Sequence, residues 1–360
     1  SIILSELSSN IVISSFIFFF FFDEKSIASI NPFNLFCSIL IVALHIITYN
    51  SIKNPVAFGI AEMICRIAVP FFFVASGYFA AEKFSDMKRI YKYIWRLVTL
   101  YILYVILNLP IIIPTYINIQ HGLLFFIKDF FFVGFHQLWY FIGLIQAILM
   151  LSILIKYFKI NTLLCVSIIL YVMGMIGNIF PNELMTLPGI GLVIKIYFFV
   201  FSTTRNGIFM GFLFVLVGYC IKKEVIFSKE KFKFKYCIIA CLFFMLETVF
   251  YWKFSQSRNI DIHLDMTISL VPVIITMSIL VFYAKIDCRI NAKILRNIST
   301  LIFAFHLEIM YFIKNISHFL GYKEVNVLIL FCLTTLCSII LSILIIALSE
   351  KRLKWLKYLY

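Results

Sequence analysis

From Gly59 to Ala81 the chain is apolar and long enough to cross a bilayer, yet it carries Glu62 and Arg66. Four residues apart, the two share one face of a helix. Ionisable groups inside a membrane are costly and turn towards a bundle interior or a watery cavity. Pro70 has no N–H for the carbonyl of Arg66, so the helix opens where the charge sits. Ser76-Gly77 then offers a small surface for close approach of a second helix. Two readings of the charged pair stand: a brace that fixes helix packing, or part of a functional cavity.

The rest of the chain imposes the same environment. Hydrophobic residues make up 63% of its 360 positions and charged residues 13%, with a mean hydropathy of +1.04. A soluble domain carries about a quarter charged residues. The expected fold class is therefore an all-α polytopic membrane protein, a bundle of about ten transmembrane helices in a lipid bilayer. The net charge of +14 does not mark a nucleic-acid partner, because the basic residues fall in short loops between apolar runs. The nine cysteines show no metal-ligand spacing, and no metal or bound cofactor is expected. Cys237 and Cys241, one turn apart in an apolar segment, read as inert thiols.

Residues 1–30 form an apolar N-terminal extension, whose run from Ile11 to Phe22 is short for a span and lacks a signal peptide's basic start. Ten candidate spans follow, at 33–49, 59–81, 94–114, 137–155, 162–180, 207–221, 236–254, 266–284, 298–313 and 326–348. They place one transmembrane domain over 31–350, with a basic tail over 351–360. Strict alternation puts twenty of the 31 Lys and Arg on one side and eight on the other. The positive-inside rule then makes both ends of the bundle cytoplasmic, as expected of a multi-pass protein of the plasma membrane. Leu192–Phe201 and Phe125–Phe135 are expected to be lateral or re-entrant pieces on the outer side.

With this orientation, His45, Glu62, Arg66, Glu247, His306 and Glu308 all avoid the inner half, and five of the six come within about one and a half helical turns of each other in depth. A shared level predicts one polar cavity open to the outside, with His136, Arg205, Asp261, His263 and Asp265 at its mouth. Each residue also has a plainer role, such as a histidine bonded to a backbone carbonyl or a protonated carboxyl, and the prediction rests on the set. His306 and Glu308 are two apart and point to different faces. A histidine beside a carboxylate or an arginine can serve as general base towards a hydroxyl. An arginine can hold a carboxylate, a phosphate or a developing oxyanion. On the inner side Lys88, Arg89, Lys92 and Arg96 repeat at helical spacing. They are either an ordinary positive-inside cluster or a surface for a polyanionic donor such as a coenzyme A thioester.

The pieces Ser29-Ile30-Asn31 with Ile39 to His45, Arg66 to Phe79, Leu138-Trp139-Tyr140, Arg205 to Phe209 with Gly218-Tyr219, and Ser299 to His306 carry a resemblance. Together they are similar to the membrane acyltransferase 3 family, which includes glycan O-acetyltransferases. They also look like the membrane half of the vancomycin-resistance serine racemases. The resemblance implies a ten-helix bundle that passes an acyl group, most simply acetyl, from cytoplasmic acyl-CoA to a hydroxyl of an extracytoplasmic cell-envelope carbohydrate. His45 falls where the family's essential histidine stands, with Glu62 and Arg66 as its companions in catalysis. Arg89, Lys92 and Arg96 are then donor-binding, and Trp139, Arg205, Glu247 and His306 line the acceptor cavity. The family usually carries an arginine eleven residues before the histidine; here Asn34 stands there and offers a neutral amide. That position is expected to be a wet polar channel. Two alternatives remain: a small-solute, serine-like transport or sensing module, and a homologue that no longer catalyses.

Overall fold

The computed structural model describes residues 30–46, 55–117, 119, 121–226, 233–258, 265–283, 292–322 and 325–360. Among them there is no strand. The helices are α1 (Ile30–Ile46), α2 (Pro55–Arg66), α3 (Ala68–Ala80), α4 (Met87–Ile117), α5 (Gly122–Lys128), α6 (Trp139–Leu154) and α7 (Ile160–Ile179). They continue with α8 (Pro181–Met185), α9 (Gly191–Phe201), α10 (Phe212–Lys223), α11 (Phe234–Arg258), α12 (Leu270–Tyr283), α13 (Ala292–Phe319) and α14 (Val327–Lys351). Every predicted span falls on one or two of these. Among the described residues, six stretches are long and apolar enough to cross a membrane: Val56–Lys83, Met87–Ile117, Gly122–Leu154, Ile160–Ile179, Phe234–Ser257 and Val327–Lys351. The protein is an all-α polytopic membrane protein. The N-terminal extension and the predicted mouth residues Asp261 and His263 lie outside the described residues.

The helices form two compact units, and the chain passes from the first to the second within α3, at Pro70. The first unit holds α1, α2, α11, most of α12, α13, α14 and the C-terminal residues. Here α13 packs along α1 and α14, while α2 packs on α11 and α1. Small or polar residues make the α1–α13 contact close: Ser299 donates from Oγ to the carbonyl of Asn34 at 2.9 Å, and Ser38, Ala304 and Leu301 are fully buried. In the α2–α11 contact, a Cβ added at Gly59 would meet the side chain of Val249 at 2.8 Å. The basic tail does not extend away. A 3₁₀ segment, Lys354–Leu359, folds back on α14, buries Leu356 and Leu359, and brings the Tyr360 hydroxyl to the Ser349 Oγ at 2.6 Å.

The second unit holds α3 from Pro70 onward and α4 to α10. Its tightest crossing, between α3 and α10, is set by two glycines. A Cβ at Gly77 would lie 2.1 Å from the Val215 carbonyl oxygen, and one at Gly218 would lie 2.0 Å from that of Val74. The small surface at Gly77 therefore admits a backbone, not merely a side chain. Tyr140, at the start of α6, ties into the same region: its hydroxyl lies 3.0 Å from the Ser76 Oγ and 3.2 Å from the Phe72 carbonyl, and its ring packs on Phe73.

Two local breaks follow from the sequence. Helical backbone is interrupted at Ile67, between α2 and α3, in the turn that Pro70 leaves without its hydrogen bond. Phe125–Phe135, predicted as a lateral or re-entrant piece, is not one regular helix. It runs from α5 through a π-turn, Asp129–Val133, to Gly134, whose φ of 85° turns the chain into α6. A Cβ there would meet the Trp139 Cα at 2.4 Å, so the turn requires glycine. The other predicted lateral piece is α9, whose 11 residues reach only about 16 Å, half a bilayer core.

Candidate functional site

The polar residues predicted to share one depth, His45, Glu62, Arg66, Glu247, His306 and Glu308, all belong to the first unit. His45 is in the last turn of α1 and is exposed at its edge. His306 lies midway along α13 and is 1% exposed. The close α1–α13 packing brings the two imidazoles together, with ring centroids 5.2 Å apart and planes tilted by 39°. Nδ1 of His306 sits 3.1 Å from the Ile302 carbonyl and 3.0 Å from that of Phe303. Carbonyls only accept, so Nδ1 carries the hydrogen and the lone pair is on Nε2. That Nε2 is buried and has no hydrogen-bond partner among the described residues.

Glu62 and Arg66 form the expected pair on α2. Arg66 donates from Nε to Glu62 Oε2 at 2.5 Å, with side chains 19% and 11% exposed respectively. Glu62 therefore gains its partner one turn along the same helix. Glu247 on α11 is half-buried, as is Glu308 on α13. Glu308 sits two residues from the buried His306 and on another face.

Asn34 differs from expectation. It is 7% exposed, and its Oδ1 is buried with no hydrogen-bond partner among the described residues. Its position is a tight contact between α1 and α13, not a wet channel, because the Ser299 side chain closes on its backbone.

In the second unit, Arg205 and Trp139 stand together. The guanidinium lies over the indole ring, 4.6 Å from its centroid, and its Nη1 is 3.0 Å from Asp265 Oδ2. The local sequence explains the placement. Asn206 caps the following turn, accepting from the N–H groups of Ile208 and Phe209, and donates from Nδ2 to the Tyr197 hydroxyl. Gly207 packs against α6: a Cβ there would meet the Gly143 carbonyl oxygen at 2.1 Å, and its N–H donates to Gln146 Oε1. Arg205 is thus presented by a capped, glycine-tight turn. Asp265 was foreseen as a mouth residue but not as the partner of Arg205, since nothing local in the sequence links them. His136 is exposed at the start of the turn before α6.

Arg89, Lys92 and Arg96 lie along one side of α4 near its N-terminus, and all three are exposed. Arg89 is 3.4 Å from Asp86. Tyr91 and Trp95 are exposed beside them and meet edge to face at 5.9 Å. At 31 residues, α4 is about 46 Å long, more than a bilayer core, so its basic end has helix to spare for the polar zone. No group of three or more His, Cys, Asp or Glu able to hold a metal is found among the described residues.

These features define a multi-pass α-helical membrane protein with ionisable side chains held inside its helix contacts. The match of residues 28–347 to the acyltransferase domain of the acyltransferase 3 family is specific, and the chain belongs to that family. It is also similar to an amino-acid racemase of Enterococcus faecalis, with 26% identity over 89% of this chain and 46% of the relative. A second amino-acid racemase of that species is 25% identical over 69% of the chain and 35% of the relative. A serine/alanine racemase of Enterococcus gallinarum is 24% identical over 67% and 36%. The chain thus spans less than half the length of these relatives. No solved structure matches it.

Proposed function

We propose that this protein transfers an acyl group, most simply acetyl, from acyl-CoA to a hydroxyl of an extracytoplasmic cell-envelope carbohydrate. The observation that carries this reading is His45: an imidazole exposed on the last turn of α1, in a chain whose family is an acyltransferase family. His45 takes the proton of the acceptor hydroxyl, and the Glu62–Arg66 pair supplies fixed charge from the neighbouring α2. Arg89, Lys92 and Arg96 hold the donor's phosphates, and the basic loops on their side support a cytoplasmic orientation for it. In the second unit, Arg205 on Trp139 offers a cationic face to an acceptor; in the first, the half-buried Glu247 stands on α11.

The racemase relatives favour a second reading, in which the domain is a small-solute, serine-like transport or sensing module. Coenzyme A binding separates the two. Purified protein in nanodiscs is titrated with acetyl-CoA by calorimetry. The Lys92→Ala/Arg96→Ala variant should bind at least tenfold more weakly at low salt, with the difference shrinking as salt rises. Absence of binding by the unmodified protein would favour transport.

A further inference from the structure

Resting on His45 as the base, we propose that His306 is its positioning partner, with Nε2 of His306 accepting the N–H of His45 and so fixing which His45 nitrogen faces the acceptor hydroxyl. Three observations lead here. Both Nδ1 contacts of His306 are backbone carbonyls of its own helix, Ile302 and Phe303, which lock the ring and leave the lone pair on Nε2. That lone pair is buried without a hydrogen-bond partner among the described residues, a costly arrangement unless something donates to it. The imidazole of His45 stands close by, at 5.2 Å between centroids. A ring nitrogen lies just over 1 Å from its ring centre, so nitrogens on facing edges can come within about 3 Å, hydrogen-bond range. His306 is clamped in the core of the α1–α13 contact, while His45 lies exposed at a helix end. Rotation of His45 therefore makes the bond, and His306 stays put.

The arrangement follows the logic by which a third group orients a catalytic imidazole. The acceptor oxygen bonds the acyl carbon as its proton passes to the outward nitrogen of His45. The inward N–H of His45 remains on Nε2 of His306, which spreads the imidazolium charge. The thioester C–S bond then breaks, and His45 returns the proton to the thiolate sulfur. His306 gains and loses no proton, so an acceptor of the same reach can replace it.

The test compares His306→Leu, which removes the acceptor, with His306→Gln, whose Oε1 stands near the position of Nε2. The expected result is a kcat about 100-fold lower for the Leu variant, with KM within about twofold. The Gln variant should regain at least tenfold of that loss. A readout independent of turnover is the tautomer pattern from ¹⁵N-histidine NMR in nanodiscs. His306 should show Nδ1–H, and the His45 nitrogen signals should shift in the Leu variant and return in the Gln variant. Full kcat in the Leu variant while His45→Ala is inactive would overturn the proposal, as would an Nε2–H tautomer for His306. If the unmodified protein transfers no acyl group, the acyltransferase function fails, and the NMR comparison still decides the pairing. Should the Leu variant not fold, the unmodified tautomer and the Gln variant decide it.

Discussion

Replacing Glu62 by Gln tests whether the charged pair of α2 is a buried electrostatic unit. The amide is nearly isosteric and can still accept from Arg66 Nε, so packing is preserved and only charge is lost. With side chains 11% and 19% exposed, the pair lies mostly out of solvent, and screening discounts the interaction only slightly. Removing the carboxylate takes away the guanidinium's counter-charge on α2, and breaking a buried pair costs about 3–5 kcal/mol. The retained hydrogen bond recovers about 1 kcal/mol. The expected loss is therefore about 2–4 kcal/mol. It is read from reversible unfolding in mixed micelles or from the thermal midpoint in detergent. Glu62→Ala with Arg66→Leu removes both charges and should be less destabilising than Glu62→Gln alone, since no charge is stranded. A loss under about 0.5 kcal/mol in Glu62→Gln would place the pair in the exposed class and refute the reasoning.

Gly218→Ala should prevent assembly of the second unit, because its Cβ would stand 2.0 Å from a backbone oxygen that no side-chain rotation can move. Size-exclusion chromatography of the detergent-purified variant checks this, and a monodisperse peak with an unchanged melt would contradict it. Asn34→Arg should destabilise by more than about 3 kcal/mol, since an unpaired cation would enter the α1–α13 contact. A thermal melt at or above the unmodified value would restore the polar-channel reading of position 34. For topology, single cysteines at Ser228 and Ser257 should label from opposite sides of the membrane, and labelling from one side at both would break the predicted orientation.

The ten apolar runs were legible because a segment that must satisfy its own backbone in lipid has little choice but helix. Their ends were set less well: α4 and α13 run several residues past their predicted spans, because charged residues such as Arg89, Lys293 and Arg296 lower hydropathy without stopping a helix. The Glu62–Arg66 pair and the break before Pro70 were also legible, being local. What each helix faces was not. A segment apolar all round gives no periodic signal, so Asn34 was placed in a channel when it lies against Ser299. The meeting of His45 with His306, and of Arg205 with Asp265, joins residues far apart in sequence and so left no local signal. Ser76-Gly77 did carry a local hint of close approach, and Gly77 lies against the backbone of Val215.

The measurement closest to the central claim is transfer of radiolabelled acetyl from acetyl-CoA to carbohydrate by protein reconstituted in proteoliposomes, compared with His45→Ala. The account predicts labelled carbohydrate with the unmodified protein and a loss of at least 100-fold with His45→Ala, at unchanged coenzyme A binding. Equal labelling by both proteins, or none by a folded protein that imports serine, would contradict it.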